Sequence, residues 1–190
     1  VDVQQSSNQE KLILGVDPGS VNMGYALVKA SSKKFKIIES GTLRLGSKEE
    51  FFSRISKIAD FFQAFSSKNE PFELAMESLI HVKNVNSLAK LAQARGAMMA
   101  AVSAKSLGFH EYAPNLIKST VSGYGLSNKT SVEKSLGFVF PDHTFSSHDE
   151  SDALAVALCH AFIGGNPARS AVPRASKKAR SLKDSFKHLK

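Results

Sequence analysis

The chain contains no tryptophan and a single cysteine, Cys159. One thiol cannot close an internal disulfide, so the protein must hold together by packing alone. That usage fits a reducing compartment and points to the cytoplasm. Cys159 sits in the apolar run ALAVALCHAF and reads as inert core. Long apolar runs are missing as well: no stretch of about 18 apolar residues occurs, so nothing reads as a membrane span. The opening VDVQQSSNQE is polar and acidic and lacks the cationic start and apolar centre of a secretory signal. Residues 1–10 read instead as a flexible leader. Six prolines and twelve glycines in 190 residues exclude a fibrous or low-complexity body. No internal repeat is visible.

What is present is enough apolar material for one packed domain, 42% of the residues. The net charge is +8, but it is unevenly spread. The segment 164–190 carries eight Lys and Arg against Asp184 alone, so +7 of the charge lies there. It opens with Gly-Gly and contains two prolines. The pattern is a near-neutral body with a basic, flexible tail, of the kind that meets nucleic acid or another polyanion. A tail that only aids solubility is the alternative.

Near the start, LILGVDPGSVNMGYALV spans residues 12–28. Leu12, Ile13, Leu14 and Val16 read as a buried strand, Pro18-Gly19-Ser20 as a turn, and Gly24 to Val28 as a second strand, together a hairpin. Asp17 therefore ends a central strand, where a lone carboxylate is costly to bury. It either caps the turn or holds a cation, and this stretch does not choose between them.

Residues 34–45 read as a third strand. Over 48–67, Phe51, Phe52, Ile55, Ile58, Phe61, Phe62 and Phe65 recur at helical spacing, an amphipathic helix with an aromatic core face. Phe72 to Glu77 is a short buried strand that also ends on an acid. The pattern over 84–107 predicts the longest helix, with small residues Ala92, Gly96, Ala100 and Ala104 four apart on one face. That stripe suits close packing, either on the sheet or against a second copy of the chain. A strand at 109–113, a helix opening at Pro114 and a helix over 128–138 follow. Ser147 then caps a last helix, with Glu150 three residues on completing a capping box. The order β-β-β-α-β-α-β-α-α-α gives an α/β fold, a mixed five-stranded sheet with helices on both faces.

Four acids stand where such a fold can gather them: Asp17 and Glu77 at strand ends, Asp149 and Asp152 three apart on one helical face. The pattern supplies no matching Arg or Lys, so the group needs cations. All-oxygen donors suit Mg²⁺ or Mn²⁺ rather than zinc. Two such ions about 4 Å apart can activate water at a phosphodiester. For Asp149 and Glu150 ordinary first-turn helix electrostatics is the competing explanation.

LGVDPGSVNMGYALV, AMESLIHVKNVNSLAKLAQARG, EYAPNLIKSTVSGYGLSNKTSV and DESDALAVALCH, in that order, resemble the RuvC-type Holliday junction resolvases. The resemblance runs from Leu12 to Phe162. A lone Asp-x-Gly would be weak, since sugar kinases and actin-like ATPases open similarly; the ordered set is specific. It implies a ribonuclease-H-like nuclease domain over residues 11–163 and a homodimer that cuts four-way DNA junctions in recombination and repair. Paired symmetric nicks on strands of like polarity, made by two-metal hydrolysis, would leave 5′-phosphate and 3′-hydroxyl ends. Asp17, Glu77, Asp149 and Asp152 match the family's metal-binding acids, for two Mg²⁺ per subunit with Mn²⁺ as a substitute. Some members carry His at the position of Asp149; here His148 is its neighbour and is read as a bystander. Lys118 and Lys129 map to phosphate-contacting lysines, and Ile80 and Lys83 to further DNA contacts. Ile80, which cannot stack as an aromatic does, stands where an aromatic or other bulky residue is often found in the family, and Ser131 where Gln is common, departures that bear on base preference. RuvA and RuvB branch-migration proteins are the implied partners.

Other classes remain distinguishable. An RNA–DNA hybrid hydrolase or YqgF-type protein would cut hybrid duplex and spare junctions. A binding module without catalysis has no use for four acids, and an actin-like kinase needs nucleotide loops that the chain lacks.

The tail yields the first test. Truncation after Ile163 should leave folding and metal chemistry intact. Junction binding should weaken at low salt, and the slope of log affinity against log salt should become shallower by about 0.9 for each phosphate the tail neutralises. Equal slopes for the full and truncated proteins would show that the tail does not engage DNA.

Overall fold

The computed structural model describes residues 10–31, 34–79, 84–123, 125 and 128–164. Ile80 and Lys83, most of the leader and all but the first residue of the tail lie outside the described residues. β1 (Lys11–Asp17), β2 (Asn22–Ala30) and β3 (Phe35–Arg44) form an antiparallel meander. β4 (Phe72–Glu77) joins β1 in parallel, and β5 (Ser106–Tyr112) joins β4 in parallel. The sheet order is β3-β2-β1-β4-β5, which is the mixed five-stranded sheet of the ribonuclease-H-like fold.

Strand alternation splits the core in two. Leu14 and Val16 of β1 and Leu74 and Met76 of β4 point to the face covered by α1 (Phe51–Lys68) and α2 (Val85–Val102). Ile13 and Ala75 point to the opposite face, under α3 (Pro114–Ser122), α4 (Lys129–Val139) and α5 (His148–Ile163). Strands buried on both faces need apolar residues at nearly every position, which is why β1 and β4 read as continuous runs. On α1, Ile58, Phe62 and Phe65 pack inward, whereas Phe52 faces solvent.

α5 is apolar nearly all round because it lies between the sheet and α3 and α4. It also rides directly on strand backbone. A Cβ added at Gly15 would run into the backbone of Ala153 and Ala157, and one at Gly24 into the backbone of Asp149. Ser147 caps the helix by accepting the Glu150 N–H at 3.1 Å. The Glu150 side chain does not complete the box. It is buried and accepts from the Ser146 N–H at 2.8 Å and from the Ser40 hydroxyl of β3 at 2.6 Å, pinning the helix start to the meander.

α1 begins at Phe51 rather than 48, and the boundary between α2 and β5 also differs from the sequence expectation. α2 stops at Val102, and β5 begins at Ser106 rather than 109. The 103–105 turn holds no Gly or Pro, and Leu107, which prolonged the helical pattern, is a 71% exposed strand residue. The small-residue stripe does not pack on the sheet. Ala94, Arg95, Met98 and Val102 do that, while Ala92, Gly96 and Ala100 are exposed.

Gly15→Ala should force α5 off the sheet and lower thermal stability by about 1–3 kcal/mol or more, the usual range for overpacking. Gly137→Ala is the control: it lies in α4 with nothing within 4 Å of an added Cβ. It should stabilise the helix by up to about 1 kcal/mol. Equal melting shifts for the two variants would refute the close crossing.

Candidate active site

Val16 pairs with Met76, so the next residues, Asp17 and Glu77, finish neighbouring parallel strands. Such strand ends lie about 4.8 Å apart. Asp17 also pairs with Gly24, the residue over which the Asp149 backbone passes. The first turn of α5 is thereby laid over the strand ends. Asp152, three residues on, shares a cleft of about 270 Å³ with Asp17 and Glu77. Lys118 of α3 and Lys129 of α4 line the same cleft, and Ile117, Val132 and Ala155 form its apolar wall. Asp149 acts on Asp17 through its charge and is not part of the cleft wall.

The electrostatics show what this gathering costs. Burial, then the charges of Asp152, Glu77 and Asp149, push the Asp17 carboxyl up to about 7, against a weaker opposing pull from Lys129. Glu77 is also raised, by burial first and then by Asp152, with Lys118 and Lys129 opposing. The sequence pattern offered these acids no basic partner, and there the structure differs. Lys129 Nζ lies 2.8 Å from Asp152 Oδ2, and this bond is the main reason its own pKa rises. The distance along the chain between the two residues hid the pair.

Two residues with no assigned role hold the strand ends from the other face of the sheet. Arg95 of α2 is buried, donates to the Glu77 carbonyl at 2.8 Å and pairs with Glu111. Arg54 of α1, also buried, donates to the Ser20 carbonyl at 2.6 Å, just past Asp17. Their sequence signal is a charge in register with an apolar face: Arg54 with Ile58 and Phe62, Arg95 with Met98 and Val102. His148 pairs with Glu133 of α4 at 2.6 Å. Ser131 lies in the first turn of α4, where its N–H and hydroxyl both donate to the capping Asn128.

The donor set fits hard divalent cations. It is made of carboxylate oxygens, two of them held above their ordinary range by burial and mutual repulsion, a state that a bound cation relieves.

The family model described as crossover junction endodeoxyribonuclease RuvC matches residues 13–160. RuvC of Prosthecochloris aestuarii is 36% identical over 169 residues, covering 87% of this chain and 90% of the relative. RuvC of Brachyspira hyodysenteriae is 33% identical over 150 residues, covering 79% and 93%. Among solved structures, Thermus thermophilus RuvC superposes with a TM-score of 0.72 at 22% identity, covering 80% of this chain and 94% of that one. The same protein in complex with a Holliday junction substrate gives 0.73 at 23%, covering 80% and 93%. At that identity the structural likeness speaks to the fold.

A stability test follows from Asp17. Its folded pKa of about 7 lies above its ordinary 3.8, so the folded state holds the proton more tightly than the unfolded state. Without metal, the contribution of this group to stability should be lost as pH rises from about 4 through 7. Asp17→Asn removes the buried charge. The metal-free variant should melt higher than the parent at about pH 8, by at most about 4 kcal/mol before solvent screening. The gap should close towards pH 4, and also when Mg²⁺ is added to the parent. A variant that melts lower than the parent at high pH would refute the repulsion.

Proposed function

The chain belongs to the RuvC family of crossover junction endodeoxyribonucleases, and from that premise we propose that it resolves four-way (Holliday) DNA junctions in recombination and repair. The reading extends to paired symmetric nicks on strands of like polarity, with 5′-phosphate and 3′-hydroxyl products. The observation that carries it is the cleft itself, where Asp17, Glu77 and Asp152 face Lys118 and Lys129. An acidic floor suits cations, and lysines on the same cleft suit the phosphates of a substrate.

Asp17, Glu77, Asp149 and Asp152 are the residues that would hold two Mg²⁺, with Mn²⁺ as a substitute. When bound, such ions supply the charge that activates a water and stabilises a leaving 3′ oxygen. The chain's own residues do the rest. Asp17 would hold a cation as its carboxylate, and Glu77 is held at its carbonyl by Arg95. Lys129, paired with Asp152 at 2.8 Å, would be available to a phosphate when that carboxylate holds a cation. Lys118 offers a second cationic contact. The apolar wall strengthens these interactions by thinning the water around them. Ile80 and Lys83 as DNA contacts rest on the family resemblance. For the homodimer, the exposed small-residue face of α2 is the surface we favour, since close approach there meets no side chain at Gly96. RuvA and RuvB are the proposed partners.

The test is cleavage of a mobile synthetic junction with Mg²⁺ or with chelator. Asp17→Asn should bind the junction as well as the parent or better. Its cleavage should fall by at least about 10²–10³-fold, the usual cost of removing one preorganised electrostatic group. Asp149→Asn should be inactive and His148→Ala near normal. Normal nicking by Asp17→Asn would overturn the mechanism. Cleavage of RNA–DNA hybrid but not of junctions would overturn the substrate.

A further inference from the structure

We propose that Glu73, His110 and His160 form a second metal site, for a transition ion of the zinc class, at the opposite end of the sheet from the four acids. One ligand atom from each residue lies within 4.8 Å of the others. Glu73 and Glu77 share a face of β4 four residues apart, about 13 Å along the strand. His160 stands eight residues beyond Asp152 on α5, about 12 Å along the helix. The same two elements thus carry both sites, one at each end.

The donor set separates the two sites chemically. Two imidazoles and one carboxylate suit zinc or a similar ion with an open fourth position, whereas the four acids suit Mg²⁺. The geometry is nearly in place. His160 Nε2–H donates to Glu73 Oε2 at 2.5 Å, and the His110 and His160 rings stand 4.4 Å apart between centroids. Ligand atoms of a tetrahedral ion at about 2.0–2.1 Å sit about 3.3 Å from one another, so the Glu73–His160 pair need open by less than an ångström, while the three ligand atoms already lie within 4.8 Å of one another.

The surroundings support a site rather than a chance cluster. His160 is 1% exposed and its two ring nitrogens are each held by a side chain, Nε2 by Glu73 and Nδ1 by Tyr112. Tyr112 Oη lies 2.5 Å from His160 Nδ1 and fixes the ring with Nε2 turned to Glu73. With an ion on Nε2 the neutral ring would carry its proton on Nδ1, donated in a hydrogen bond to the Tyr112 oxygen, and the Tyr112 O–H would turn away from the ring. An outer partner of this kind is what orients metal-bound histidines. Glu73 keeps its other oxygen on Lys11 at 2.9 Å. A cavity of about 290 Å³ lined by Lys11, Glu73 and His160 provides the way in. The ion would clamp β4, β5 and α5, the first and last of which also carry Glu77 and Asp152.

The experiment uses the full chain carrying Asp17→Asn, with Mg²⁺ in excess to occupy the acid site and Zn²⁺ alone as the probe. One Zn²⁺ per chain should bind and raise the melting temperature, and Co²⁺ in its place should give the intense visible bands of a four-coordinate site. His110→Ala and Glu73→Gln should each weaken Zn²⁺ binding at least tenfold. Tyr112→Phe should weaken it by about 10–100-fold, as outer partners do. In the otherwise unaltered chain, His110→Ala should keep Mg²⁺-dependent junction cleavage. That arm separates failure of this site from failure of the nuclease reading. Absence of Zn²⁺ binding, or binding undiminished in both His110→Ala and Glu73→Gln, would overturn the proposal.

Discussion

Where α5 crosses β1 and β2 it rests on backbone, because Gly15 and Gly24 leave no side chain in the way. This close crossing is the constraint on which the site depends. An ordinary helix–sheet spacing, set by side chains, would hold the acids of α5 well above the strand ends. At this spacing Asp149 and Asp152 act directly on Asp17. The fold spends hydrophobic burial along α5 to bring like charges together, and the apolar residues from Ala153 to Cys159 supply it.

Repulsion among the acids must then be resisted at both strand ends. Arg54 and Arg95 do this from the far face of the sheet, each donating to a backbone carbonyl at or just beyond a strand-ending acid. A buried guanidinium without partners would be expensive, and bonding to a carbonyl meets part of that need. On the near face Lys129 pairs with Asp152. The strand ends are thus held in place by arginines that do not line the cleft, while Asp152 is paired with a lysine that does.

The sequence made the elements of this design legible and concealed their pairings. The hairpin, the strand ending at Glu77 and the helix opened by Ser147 follow local rules of apolar run, turn residue and cap, and all three stand where those rules place them. The α2–β5 boundary did not, because Ser103 to Lys105 form a turn without Gly or Pro and Leu107 continues an apolar rhythm from an exposed strand position. Arg54 and Arg95 were visible only as charges on apolar helix faces, and their partners are set by tertiary packing. Lys129–Asp152 and Glu73–His160 join residues 23 and 87 positions apart. No local spacing rule reaches that far.

The long-range pairs also explain why one short strand can serve two ends. β4 lies between β1 and β5, and on the α5 face the middle of the strand, Ala75, is packed under the helix. Ala75, fully buried at the middle, lets the helix lie close. Glu73 and Glu77, on either side of it, emerge where the covering thins. Each meets a polar residue of α5, His160 at one end and Asp152 at the other. Glu73 gains bonds to His160 and Lys11, and these hold its pKa down against burial. Glu77 has only partly compensating lysines and is pushed up. Two glutamates on one face of one strand are therefore driven in opposite directions by their partners. The end where repulsion is left standing is the end suited to taking up hard cations.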